Sequence, residues 1–307
     1  MSRTVYQGNI RVGTASWSEP EFVKAGWYPA KLPAGDRLAF YAERFDMVEL
    51  NSSFYALPSS GLCARWARQT PPGFLFDVKC HRLLSRHATK ADALPKDLRA
   101  QAEVTDRGNV LLTPELESAV AERFLAELAP LESAGKLGAL LLQMTPGFAP
   151  RASHLETLEP LLRQLQGTEQ HPRPVVLELR HHDWLDAQHR EQTAAFLRRL
   201  GVTLASIDGP PADAKHFTVM PAINDVTNPE VAYLRLHGRD PHAYLTGKTV
   251  AERFHYDYSD AELDEVLGRV EHLREEAAVV HVVFNNNSQD FAPVAAERLR
   301  RKLGQTK

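Results

Sequence analysis

The sequence predicts an α/β chain of the TIM-type (β/α)8 barrel class, with long loops at the C-terminal mouth of the barrel. Three observations carry that prediction. Eight short β-like runs alternate with amphipathic helical segments along the chain. The pattern fits within 307 residues, a common size for one such barrel, so a single domain over 1–307 is expected. The first run ends in Gly-Thr-Ala-Ser-Trp (13–17). An open doubly wound sheet would place G-x-G-x-x-G there.

In chain order the β-like runs are 10–17, 46–55, 74–82, 137–144, 174–180, 202–208, 231–238 and 279–287. Amphipathic segments at 36–45, 58–69, 114–134, 153–166, 188–200, 259–277 and 289–303 read as helices. Thr113-Pro114 sets a capping hydroxyl before a proline at the first helical position. Ser259 and Glu262 have capping-box spacing, in which hydroxyl and carboxylate satisfy free first-turn amides. Gly135 and Gly201 follow helical segments, where a left-handed stop favours glycine. The stretches 83–113 and 209–230 are long for connections and are expected to form lids; HFTVMPAINDVTNPE, in the second, shows no helical period.

Composition narrows the function classes. A hydrophobic share of 43% supports a sizeable core, and a formal net charge of −3 argues against polyanion binding by bulk charge. The two cysteines, Cys63 and Cys80, have no metal-type spacing and cannot make a disulfide framework. The N-terminal residues lack an apolar run of signal-peptide length, and no stretch approaches the ~20 apolar residues of a membrane span. A cytoplasmic protein with no membrane association is expected.

The chemistry lies in the alternation within the strands. Residues two apart share a face of a strand, so Glu49 and Asn51 fall together, as do Asp77, Lys79 and His81. Leu141 pairs with Gln143, Glu178 with Arg180, and Arg235 with His237, while Asp208 ends the sixth run. The apolar partners suit the helix-facing side, which points the polar set into the barrel near the strands' C-terminal ends, where barrel enzymes place their sites. A lone buried Glu–Arg pair reads as a structural ion pair. A set repeated from strand to strand reads as a ligand site, because each buried charge is costly.

Glu49 and Glu178 are the candidate proton-transfer groups, with His237 as partner. Lys79, Arg180 and Arg235 are candidate charge clamps that would keep the carboxylates ionised. Gln143, Asp208, Arg239 and the amides Asn51, Asn285, Asn286 and Asn287 are candidate polar contacts, the last three equally suited to closing a turn. Trp17, Phe54, Tyr55 and Trp184 follow strand ends and could rim the site. The expected ligand is small and polar or anionic, sugar-like or phosphorylated.

No cofactor is expected. Glu49, Glu178, Asp208 and His237 would suit a divalent metal, but the neighbouring cations offset their charge, no H-E-x-x-H occurs, and His181-His182 reads as the polar start of a loop. Two other classes stay open: a nucleic-acid-binding or repair protein, with a basic stripe from Arg82 and Arg86 toward Arg239, and a non-catalytic ligand-binding barrel.

GTASW, GWYP (26–29), VELNSSFY, WARQTPPGFLFDVK and LLLQMTPGF, followed by ELRHHDW, YLRLHGR, YDYSDAEL and FNNN with AP at 292–293, run in one order from about residue 10 to 303. In them the chain resembles the YecE-like family, domain of unknown function 72. Two departures are minor: AVVHVV before FNNN, where aromatic residues are frequent, and Ser53, where threonine is usual. The resemblance implies a TIM-type barrel of the broad class that includes sugar isomerases and the barrel nucleases acting at abasic sites. It implies no particular reaction. Its pattern positions include Trp17, Glu49, Asn51, Tyr55, Lys79, Gln143, Glu178, Arg180, Trp184, Arg235, His237, Gly238, Arg239 and Asn285, Asn286 and Asn287.

Overall fold

The computed structural model describes residues 9–211 and 216–305. Each β-like run contains a strand: β1 Ile10–Thr14, β2 Met47–Leu50, β3 Leu75–Lys79 and β4 Leu137–Gln143. They continue as β5 Val175–Glu178, β6 Thr203–Asp208, β7 Val231–Leu236 and β8 Val279–Phe284. Their order in the parallel sheet, β2-β3-β4-β5-β6-β7-β8-β1, is that of the TIM-type (β/α)8 class. The strands are shorter than the runs, and four of them stop at a charged or amide residue. Lys79, Gln143, Glu178 and Asp208 are each the last residue of a strand.

The chain divides into two compact units, Met1–Glu49 with Thr203–Lys307, and Leu50–Val202. In the first, β6, β7, β8 and β1 pair in parallel, with Ile207 beside Arg235, Arg235 beside Val283 and Val283 beside Gly13. A Cβ on Gly13 would lie 2.4 Å from the Met47 carbonyl oxygen, so only glycine lets β1 approach β2 this closely. Helix Asp260–Glu276 starts with the complete Ser259–Glu262 capping box and buries Leu263, Val266, Val270 and Leu273. Those positions recur at helical spacing, which is why the segment folds as one amphipathic helix.

In the second unit β3, β4 and β5 pair in parallel, with Gln143 opposite Glu178. The register shifts between Phe76 and Val78; there Asp77 Oδ1 accepts the Ala139 amide at 2.7 Å. Thr113 caps helix Pro114–Ser133 through the Leu116 amide, as its spacing predicts, and Gly201 ends helix Arg190–Leu200 at a φ of 64°.

The first long connection is ordered by a 3-10 turn Ala91–Ala93, a helix Lys96–Arg99 and bridges Lys90–Asn109 and Val104–Val110. In the second, residues 216–230 hold no helix; residues 212–215, like residues 1–8, lie outside the described residues. Elements without a sequence forecast are short: the ribbon Gly167–Thr168/His171–Pro172 and helices Pro20–Lys24, Pro241–Thr246 and Val250–Arg253. Elements of that length show too few turns to establish a period. Among the described residues no helix is long and apolar enough to cross a membrane.

Candidate functional site

Each unit carries its own polar cluster at strand ends. In the first, Arg235 of β7 donates to Glu49 of β2 at two points, Nη2 to Oε1 at 2.7 Å and Nε to Oε2 at 3.0 Å. The Tyr233 hydroxyl donates to Oε2 at 2.9 Å. Glu49, Arg235 and Tyr233 are all 0% exposed. The two-point geometry satisfies both carboxylate oxygens inside the core, where a lone charge would be costly.

Asp208, ending β6, is the centre of a second knot. Its Oδ1 accepts Arg239 Nε at 2.9 Å and the Tyr258 hydroxyl at 2.8 Å, and its Oδ2 accepts Arg239 Nη2 at 2.9 Å and Arg269 Nη1 at 3.1 Å. Burial pulls this carboxyl's pKa up, but the bonds from Arg239 and Tyr258 and the charge of Arg269 hold it below the usual range. Burial and the carboxylate together push the Tyr258 phenol well up. Arg239 also reaches Glu265, so the knot ties β6 to helix Asp260–Glu276.

His237 follows β7, donates its backbone amide to the Asp208 carbonyl at 2.7 Å, and stacks on Phe254 at 5.3 Å. Asn285 Nδ2 lies 2.9 Å from His237 Nδ1. Asn286 Nδ2 donates to the Tyr256 carbonyl and Asn287 Nδ2 to the Ala15 carbonyl, so both amides tie loop backbone together. Gly238, in the LHGR pattern, has a φ of 87°, and a Cβ there would meet Tyr256 Cβ at 2.5 Å. Trp17 is buried and its carbonyl accepts the Tyr28 hydroxyl.

In the second unit Glu178 is buried at the end of β5, and its Oε1 accepts both Gln143 Nε2 at 2.7 Å and Arg180 Nη1 at 2.9 Å. The Arg180 side chain keeps 14% of its surface exposed. Lys79 Nζ lies 4.3 Å from the centre of the Phe54 ring, with the Arg82 guanidinium at 5.7 Å. His87 meets the same ring edge-on at 4.9 Å. Asn51 leads into the 3-10 turn Ser52–Phe54, which is pinned where Ser53 Oγ donates to the Leu50 and Lys79 carbonyls. Tyr55 packs edge-on against Phe54 and is 57% exposed. Trp184 is buried, stacks on Phe148 at 5.3 Å and donates its indole N–H to the Phe148 carbonyl, which places it in packing.

Burial, followed by the Lys79, Arg82 and Arg180 charges, pushes the His87 pKa down to about 4. Its imidazole is therefore neutral at pH 7. Sequence reasoning singled out Lys79 and Arg180 but missed His87. The available signal was the density of basic and imidazole groups in CHRLLSRH, 80–87, directly after β3.

For a metal, Glu49 and Asp208 are poorly suited, because guanidinium groups already occupy their oxygens. His181, His182 and Asp183 offer donor atoms within 4.8 Å of one another. His181 and His182 open the 3-10 turn 182–185, and the Asp183 amide donates to His181 Nδ1.

The fold and the polar residues at its strand ends define an α/β protein of the TIM-barrel class. Residues 11–307 match the profile described as "Protein of unknown function DUF72", and the chain belongs to that family. It is 27% identical over 283 residues to the UPF0759 protein YunF of Bacillus subtilis, covering 91% of this chain and 89% of that one. It is 29% identical to the UPF0759 protein YecE of Escherichia coli K12 over 67% of this chain and 61% of that one. Among solved structures, the DUF72 family protein TM1631 of Thermotoga maritima superposes with a TM-score of 0.73 at 27% identity, over 97% of this chain and 100% of that one. The DUF72 family protein EF0366 of Enterococcus faecalis superposes with a TM-score of 0.75 at 23% identity over 97% and 96% of the two chains, which shows the shared fold.

Proposed function

We propose that the chain is a cytoplasmic enzyme acting on a small sugar-like or phosphorylated ligand by acid–base chemistry. Glu178 is the proton-transfer group, and Lys79 and Arg180 hold the ligand's negative charge. The observation that carries this reading is the setting of Glu178. It ends a strand of a TIM-type fold, where that fold's enzymes place their chemistry, and the guanidinium it bonds is partly open to solvent. Glu49 was an equal candidate by strand position, but a carboxylate held at both oxygens is a poor proton carrier. The buried, free thiols Cys63 and Cys80 support a reducing compartment. Should the reaction use a divalent metal, His181, His182 and Asp183 offer the better donor set.

The test is a panel of sugars, sugar phosphates and sugar acids scored by thermal stabilisation and then by proton NMR for turnover. One class should stabilise the protein and be converted, and Glu178→Gln should lower conversion by about 10²–10⁴-fold while binding persists. Stabilisation without conversion would make the chain a binding protein. No response to any of the three classes would end the reading.

A further inference from the structure

A serine and a histidine that the acid–base site does not use meet just beyond β8. Ser288 Oγ is 2.8 Å from His255 Nδ1. His255 is exposed on the segment after β7, and its ring lies edge-on to Phe291 at 5.2 Å. Ser288 is 6% exposed and is fixed on both sides: its amide donates to the Asn286 carbonyl, and its carbonyl accepts the Phe291 amide. Gln289, the next residue, has a φ of 50°, a left-handed conformation that is uncommon outside glycine. A strand, a tight turn bearing a serine, and the helix Phe291–Lys302 thus follow in direct succession. Nucleophilic serines occur on strand-to-helix turns of this kind.

The surroundings supply what acyl transfer needs. In the tautomer protonated at Nε2, His255 Nδ1 accepts the Ser288 hydroxyl and takes its proton as the oxygen attacks. The Gln289 and Asp290 amides follow the serine directly and have no hydrogen-bond partner among the described residues. They stand at the positive end of the 12-residue helix Phe291–Lys302. Amides in that place stabilise the oxyanion of a tetrahedral intermediate. Before the serine, Asn286 and Asn287 commit their Nδ2 groups to loop carbonyls. Their Oδ1 atoms are buried and have no partner among the described residues. Two buried acceptors lacking donors suit a ligand that carries hydroxyl groups, and a nearly buried serine suits a small acyl group.

We propose that Ser288 and His255 form a nucleophile–base pair that hydrolyses acetyl-sized esters of polyhydroxylated alcohols. Ser288 Oγ bonds to the acyl carbon while its proton passes to His255 Nδ1. The ester C–O bond then breaks, and the imidazolium returns that proton to the departing alkoxide. Water, deprotonated by the same nitrogen, attacks the acyl-enzyme. The bond from the acyl carbon to Ser288 Oγ breaks and the serine regains its proton, so that ester and water become acid and alcohol. The pair belongs to the first unit and Glu178 to the second, so this activity does not depend on the acid–base reading.

In the test, the full chain is treated with a fluorophosphonate, which reacts with activated serines, and the adduct is located by peptide mass spectrometry. The adduct should be found on Ser288 and be lost in Ser288→Ala. p-Nitrophenyl acetate should be hydrolysed faster than p-nitrophenyl octanoate, and an O-acetylated glucose with a higher kcat/KM than ethyl acetate. Ser288→Ala and His255→Asn should each lower these rates about 10²–10⁴-fold. His272→Asn, at an exposed histidine of helix Asp260–Glu276, should change neither rate nor labelling. If Ser288→Ala does not fold, His255→Asn carries the test, because His255 is exposed and an asparagine there can still bond a hydroxyl without taking its proton. An unlabelled wild type, an adduct on another residue, or equal labelling and hydrolysis in the wild type and His255→Asn overturns the pair, and the Ser288–His255 bond then only ties two loops together. Octanoate cleaved as fast as acetate, or ethyl acetate as fast as the sugar ester, overturns the assigned substrate class.

Discussion

Two carboxylate–guanidinium pairs, one in each unit, each begin at a glutamate on a strand and differ in their surroundings. Glu49 and Arg235 are wholly buried, joined at two points, with Tyr233 as a further donor. Glu178 Oε1 accepts from both Gln143 and Arg180, and the Arg180 side chain keeps 14% of its surface exposed. A sealed pair holds strands in place, and breaking it leaves a charge in the core. A pair with one member at the surface has less to lose from a change of partner, which is what a ligand requires. Strand position alone does not make a catalytic carboxylate; its neighbours decide.

The largest expected effect is on the sealed pair. Arg235→Met should lower the unfolding free energy by about 3–5 kcal/mol, because Glu49 is left buried without its cation. Chemical denaturation measures it, and a loss near zero would place the pair among the dispensable ones. Asp208→Asn should cost less, on the order of 1.5–3 kcal/mol at pH 7, since hydrogen-bond acceptors remain for part of the knot. The sign of its pH dependence follows from the lowered carboxyl pKa. The wild type holds this contribution above the ordinary value of 3.8 and loses it as pH falls through the lower folded value. The variant's stability should therefore fall less steeply than the wild type's in acid below that value.

The smallest effect comes from the open cluster. His87 has a folded pKa of about 4 against an ordinary 6.5, so the unfolded chain binds the extra proton between those values. His87 thus removes stability progressively as pH drops from 6.5 to 4, by less than ~1.4 kcal/mol per pH unit because solvent screens a half-buried group. His87→Asn should flatten the stability profile in that window. An unchanged profile would mean that neither burial nor the neighbouring cations act on this imidazole.

Most of the fold was legible because periodicity survives in sequence. The strand runs stand out from the helical segments, and Thr113, Ser259 and Gly201 mark helix ends by local chemistry that needs no distant partner. The short helix Val250–Arg253 was invisible, since four residues carry no period. The candidate site was half legible. Alternation marked Glu49 and Glu178 equally, but telling them apart needed Arg235, 186 residues from Glu49 in the chain. The loop carrying His87 has no repeat to read, and the burial that shifts its imidazole exists only once the backbone is folded. Asn286 and Asn287 illustrate the reverse: of the two roles left open for them, their amide donors support turn closure, reaching the Tyr256 and Ala15 carbonyls.

The most direct measurement is chemical denaturation of Glu49→Gln and Glu178→Gln side by side with the wild type at pH 7. The account predicts that Glu49→Gln loses about 3–5 kcal/mol, while Glu178→Gln stays within about 1.5 kcal/mol of the wild type. Equal losses, or the larger loss at Glu178, would contradict the division between a sealed structural pair and an open working one.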